Sequence, residues 1–122
     1  MAEDKKAKKY DLEERTYKFA VRVRNLLSKA NKPWIVQDDM RQLLRASGSV
    51  GANYIEANES LGKKDFTMRI KICRKEAKES RYWLRLIETA CGPSDLEKDI
   101  RSLIQEATEL MNIFGSILRK SI

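Results

Sequence analysis

Carboxylates, arginines and glycines are the chemistry-bearing residues of this 122-residue chain, and histidine is absent. Without histidine the usual general base at neutral pH and the commonest metal ligand are missing. The Glu-x-x-His element that builds carboxylate-bridged metal centres inside helical bundles is therefore excluded. Glu76 and Glu79 stand three positions apart, one helical turn, on the same helix side as Asp65. Arg, Lys and Trp surround them, so the pair reads as salt bridges within or between subunits and not as a metal site. Gly48 and Gly51 lie in a helical pattern without the lysine of a phosphate-binding loop. Asn53 and Glu56, again one turn apart, read as a structural polar network completed by an arginine from the following helix. Removing one member of such a network strands the others without hydrogen bonds. No catalytic residue, metal or cofactor is assigned, and the reading is of a non-enzyme.

The basic residues are more organised. Lys64, Lys71, Lys78 and Arg85 recur every seven residues, flanked by Arg74, Lys75 and Arg81. Nine Lys or Arg lie between Lys63 and Arg85 against three Asp or Glu, which places a net +6 of the chain's +7 in this one stretch. A stripe of this kind neutralises phosphates and releases their counterions. The competing reading is a solvated face of long side chains. Tyr82 is the aromatic residue close to the stripe, and no base-reading motif accompanies it. Both readings stand on the sequence alone.

The helix that carries these charges has two further faces. Phe66, Ile70, Cys73, Ala77, Ser80, Leu84, Ile87 and Cys91 alternate in steps of four and three, which places them on one inward stripe. Ile72, Trp83 and Leu86, set among Glu76 and Glu79, form a flank too apolar to face only water. These five residues are the expected oligomer interface.

Three other helices must hold this one. Asp11 and Glu14 match a capping box, and the first helix runs from there to about Asn31, where Pro33 ends it. The second begins near Val36 to Asp38 and continues past Ala57. A break at Gly48 is the alternative, but the apolar steps stay in phase across SGSVGAN, and an unbroken helix is expected. Gly62 is the expected conformational relief after it. The third runs from Lys63 to Ala90, closed by Cys91-Gly92-Pro93, and the fourth from a second capping box at Ser94 and Glu97 to near Lys120. Short links between long amphipathic helices predict an all-α, antiparallel up-down-up-down four-helix bundle over residues 11–122, preceded by a flexible basic tail over 1–10.

A hydrophobic fraction of 42% and a charged fraction of 35%, with five Gly and two Pro, suit such a bundle and exclude a turn-rich β fold. No apolar run approaches the ~20 residues of a membrane span, and the charged start resembles no secretory signal. The expectation is a cytoplasmic protein with no membrane partner. Cys73 and Cys91 lie 18 positions apart on one helix, ~27 Å along its axis. That is too far for a disulfide, so both are expected as free core thiols.

From Arg41 to Ala90 the chain closely resembles a bacterial four-helix-bundle family named after proteins encoded in intervening sequences of large-subunit ribosomal RNA genes. Many members carry an arginine, a small-residue run and Asn-Ile-Ala-Glu-Gly. Here stand Arg45, the run Ala46 to Ala52, then Asn53, Tyr54, Ile55, Glu56 and Ala57, with the terminal glycine replaced. The resemblance implies a subunit that assembles into a ring-like homopentamer. A related branch, the accessory protein of diversity-generating retroelements, is a basic pentamer that binds nucleic acid and a reverse transcriptase. The partners so implied are further copies of the chain, RNA or DNA, and an unidentified protein. An interaction scaffold for an acidic protein is the competing function.

Overall fold

The computed structural model describes residues 2–91 and 95–121, with side chains from Asp11 onward. Four helices follow in order: α1 (Ala2–Lys29), α2 (Gln37–Asn58), α3 (Lys63–Cys91) and α4 (Glu97–Lys120), with a single 3-10 turn at Trp34–Val36 before α2. Among the described residues no strand occurs.

The stripes read from the sequence are the core. Phe19 and Val23 of α1, Leu43 and Val50 of α2, Ile70, Leu84 and Ile87 of α3, and Ile100, Leu103, Leu110 and Phe114 of α4 are all fully buried. Each such side chain stabilises the fold by about 1.5–3 kcal/mol relative to exposure. The Tyr54 and Phe114 rings meet in the centre with centroids 5.9 Å apart. Ala46, Ala57, Ala77 and Ala107 are buried among them and let the helix axes approach.

Partner residues give the direction of each helix pair. Arg69 reaches Asn53 and Glu76 reaches Arg45, so position rises along α3 as it falls along α2. Arg81 with Met111 and Glu88 with Arg101 run the same way between α3 and α4. Glu13 with Asn58 and Arg24 with the Leu44 carbonyl set α1 against α2, and Arg15 with Glu106 and Arg22 with Ser102 set α1 against α4. All four neighbouring pairs are antiparallel, which is the expected up-down-up-down bundle. α3 packs between α2 and α4, diagonally opposite α1.

The α1–α4 seam is the thinnest, and one charged cluster closes it. Arg15 donates from Nε to Glu106 Oε2 at 2.8 Å and from Nη2 to Glu106 Oε1 at 2.9 Å and Glu109 Oε1 at 3.1 Å. This two-pronged geometry is the strong form of an arginine–carboxylate pair, and it raises the already high pKa of the guanidinium.

Several local expectations change. The α1 backbone is helical from Ala2, so Asp11 sits inside the helix and not at its cap. The lysines and alanines upstream are good helix formers, which continue the turn. The expected tail over residues 1–10 concerns side chains outside the described residues, as does the capping box at Ser94. Gly62 does not take the left-handed conformation, and α2 ends instead at Glu59, whose N–H bonds back to the last turn.

α2 is unbroken across its glycines. A Cβ at Gly51 would lie 3.0 Å from Thr16 Oγ1 and 3.3 Å from Thr16 Cβ. Thr16 is 1% exposed, and its hydroxyl donates to the carbonyls of Leu12 and Glu13, so it has little room to yield. At Gly48 the same atom would meet only the far end of the Arg24 side chain, at 3.0 Å.

The two glycines therefore predict opposite outcomes. Gly48→Ala gains up to ~1 kcal/mol from helix propensity, whereas Gly51→Ala loses roughly 1–2 kcal/mol as α1 and α2 are pushed apart. Chemical denaturation of both variants measures this, and equal shifts would contradict the packing difference. The thiols make a second prediction. Cys73 is buried, its pKa pushed up to about 12 by burial, while Cys91 is half-buried and shifted upward from the same cause. Alkylation of the native protein should modify Cys91 first and Cys73 only on unfolding. Equal labelling rates would refute that order.

Candidate functional site

α3 presents an outward edge and two unlike flanks. Lys64, Lys71, Lys78 and Arg85 are exposed along the edge, one every two turns, with Lys75 and the half-exposed Tyr82 beside them. A shallow cavity of about 930 Å³ at the start of the helix is lined by Lys63, Lys64 and Lys71 together with Asp65, Thr67 and Met68. Arg74 and Arg81 turn away toward α4. Arg81 is half-buried, with Nη1 3.8 Å from the Met111 sulfur. The Arg74 Nε lies 3.7 Å from where a Gly115 Cβ would sit, and Arg119 Nη1 lies 3.4 Å from the same point. Among the described residues, none of the seven basic residues expected to meet nucleic acid has a carboxylate within ion-pair reach.

The flank toward α2 is different. Ile72, Glu79, Trp83 and Leu86 are half-buried in the isolated subunit, and Glu76 is only 5% exposed. Arg45 approaches Glu76 Oε1 at 3.7 Å, a long contact from a side chain that is 57% exposed. The Oε2 atoms of Glu76 and Glu79 and the Nε1 of Trp83 are buried without a hydrogen-bond partner. Burial raises the Glu76 pKa, the nearby Glu79 charge raises it further, and Arg45 and Lys75 oppose them. The tryptophan ring meets the edge of Tyr82 at 5.2 Å between centroids.

The polar network at the other end of this flank centres on Asn53. Its Nδ2 donates to the Ser49 carbonyl at 2.9 Å and to Ser49 Oγ at 3.0 Å, and its Oδ1 accepts from Arg69 Nη1 at 3.2 Å. Arg69 is thus the arginine from the following helix. Glu56 is exposed and joins neither Asn53 nor Arg69.

The structure also brings together residues that the sequence reading did not connect. Arg45 meets Glu76 only because α2 and α3 are antiparallel in this register. Arg119 reads in sequence as a favourable charge at a helix C-terminus, yet it joins Arg74 over Gly115. A seven-residue repeat marks faces and carries no sign of which residues lie opposite one another. No group of three or more metal-ligating side chains gathers among the described residues, and no helix of the described residues is long and apolar enough to cross a membrane.

The family model described as 23S rRNA-intervening sequence protein matches residues 8–116. Among solved structures, the chain is similar to a protein of unknown function from the S23 ribosomal protein family of Bacteroides thetaiotaomicron. The two share 29% identity at a TM-score of 0.75, over 88% of this chain and 97% of that one. No curated protein matches the chain.

The buried carboxyl makes a pH prediction. Because the folded-state pKa of Glu76 is raised, the folded subunit holds its proton to higher pH than the unfolded chain does. Its contribution to stability is complete below the ordinary carboxylate range and is lost as pH rises through the folded value. In dilute, unassembled protein Glu76→Gln should accordingly raise Tm at neutral pH, with the gain vanishing at about pH 4. Thermal melts across this range test it, and a gain independent of pH would refute it.

Proposed function

Because the chain belongs to the 23S rRNA-intervening sequence protein family, we propose that it is a non-catalytic, oligomeric helical protein of the cytoplasm that binds structured RNA through the basic edge of α3. The observation that carries this reading is the unpaired row Lys64, Lys71, Lys78 and Arg85, set at constant spacing on a rigid helix that holds a net +6 of the chain's +7. Long cations without carboxylate partners keep their full charge for an external polyanion. Each phosphate they neutralise releases a counterion, which makes affinity fall steeply with salt. The helix fixes the spacing of the cations without reading bases, so the expected target is RNA recognised by shape and charge.

Oligomerisation strengthens the same reading. A family-like ring of five copies repeats the stripe, and one polyanion spanning several copies gains avidity from sites that are individually weak. The flank of Ile72, Glu76, Glu79, Trp83 and Leu86 is the proposed surface for the neighbouring subunit. It combines half-buried apolar side chains with buried polar atoms that lack partners.

Binding of a structured RNA across a salt series, for the wild type and for a Lys71→Glu, Lys78→Glu, Arg85→Glu variant, tests the proposal. The expected outcome is a large loss of affinity and a salt slope shallower by about 0.7–0.9 per lost phosphate contact. Undiminished RNA affinity in the charge-reversed variant would sink it. Loss of binding to an acidic protein, with RNA affinity weak throughout, would favour the scaffold function instead. Light scattering that finds only monomer at micromolar concentration would remove the oligomer.

A further inference from the structure

We propose that copies of this chain join through unlike flanks of α3: the Glu76–Glu79 carboxylate pair on the α2 side receives Arg74 and Arg119 from the α4 side of the next copy. The inference rests on the oligomer reading above and names the residues and polarity of the contact.

The acceptor half is a site short of donors. Glu76 is 5% exposed, and an Oε2 on each glutamate is buried with no partner. Among the described residues Arg45 is the guanidinium that approaches them, standing 3.7 Å from Glu76 and mostly in solvent. Two adjacent carboxyl groups, one buried and one half-buried, with exposed Arg45 and Lys75 as their nearby cations, are unfavourable, and a close cationic donor is what such a site lacks. Glu79 is half-buried, so the pair lies at the edge of the surface, where a side chain from outside can reach it. Trp83 and Ile72 beside it supply apolar area that excludes water.

The donor half is a site short of acceptors. Arg74 and Arg119 converge on Gly115, whose missing side chain leaves the dent in which both guanidinium groups lie within 4 Å of one point. Like charges held so close repel, and no carboxylate pairs with either among the described residues. Neither half can satisfy the other within one chain. Arg74 and Glu76 are two residues apart on one helix, a spacing that points side chains in different directions. Arg119 lies on α4, and the glutamates face α2. A second copy brings the two halves together, and the chain itself carries both complementary charges.

The geometry sets the form of the assembly. The patches differ, so the contact is head-to-tail, which yields a ring if the rotation closes and a filament if it does not. The α2–α3 and α3–α4 sides meet at α3 and face different directions. A contact between adjacent sides turns at every copy and favours closure. Arg74 leaves the nucleic-acid stripe and becomes an interface residue.

Analytical ultracentrifugation of full-length variants tests this. Arg74→Glu with Arg119→Glu changes two exposed residues and should leave the helical circular dichroism intact while weakening assembly about 100-fold, the scale of losing a buried charge pair. Glu79→Arg should do the same. Combining Arg74→Glu with Glu79→Arg in one chain should restore assembly, because one basic and one acidic member of the contact are exchanged while Arg119 and Glu76 keep their charges. A wild-type oligomer unaffected by Arg74→Glu with Arg119→Glu would overturn the inference while leaving oligomerisation standing, as would dissociation that the exchange fails to reverse. The Lys71, Lys78 and Arg85 reversal should stay assembled, so loss of RNA binding there is distinguished from loss of the ring.

Discussion

The position of α3 between α2 and α4 is the constraint on which the rest of this subunit depends. A helix packed on two neighbours buries a wide stripe, here Ile70, Cys73, Ala77, Ser80, Leu84 and Ile87, and keeps only its outer edge for solvent. Everything beside that stripe lies in a groove, against α2 on one side and α4 on the other. Residues one position apart in sequence therefore meet different surroundings. Lys75 is exposed and Glu76 is buried. Arg69 is drawn into a hydrogen bond with Asn53, while Lys71 is left in solvent with no fixed partner.

This packing explains why charge is sorted around a single helix. Basic residues at seven-residue steps stay on one side because α3 is unbroken over 29 residues and keeps register across three such steps. Glu76 and Glu79 do not neutralise them, since both fall on the α2 side, Glu76 buried there and Glu79 half-buried beside it. Burial leaves Glu76 reluctant to ionise, and the adjacent Glu79 reinforces that reluctance. The fold thereby carries an electrostatic cost in its own groove while an uncompensated positive edge faces outward.

Much of the architecture was legible because it depends on local periodicity. The steps of three and four found all four core stripes, and the phase of those steps carried α2 correctly through Gly48 and Gly51. What the sequence hid depends on how helices are set against one another. Gly51 is needed where Thr16 crosses α2, and Arg15 finds Glu106 across 91 positions; nothing local marks either pairing. The same holds at the candidate site. The alignment of Lys64, Lys71, Lys78 and Arg85 follows from spacing, but the separation of Arg74 and Arg81 from that line follows from the presence of α4. Glu56 shows the opposite failure. Its spacing from Asn53 was right for a shared network, yet it lies on the exposed side of that line, one turn from a residue that α3 covers.

The polar contacts along α2 and α3 also bear on uniqueness. Apolar stripes with a seven-residue repeat fit more than one register, because a slide by one repeat returns similar side chains to the interface. A slide along α3 would separate Arg69 from Asn53 and Arg45 from Glu76, leaving the buried carboxylate worse paired than it is. Hydrophobic burial supplies the stability of the bundle, whereas these few polar pairs penalise its near-degenerate alternatives. The same penalty fixes where the α3 edge and its flanks stand relative to one another, so the groups that specify the fold also set the geometry of the outer surface.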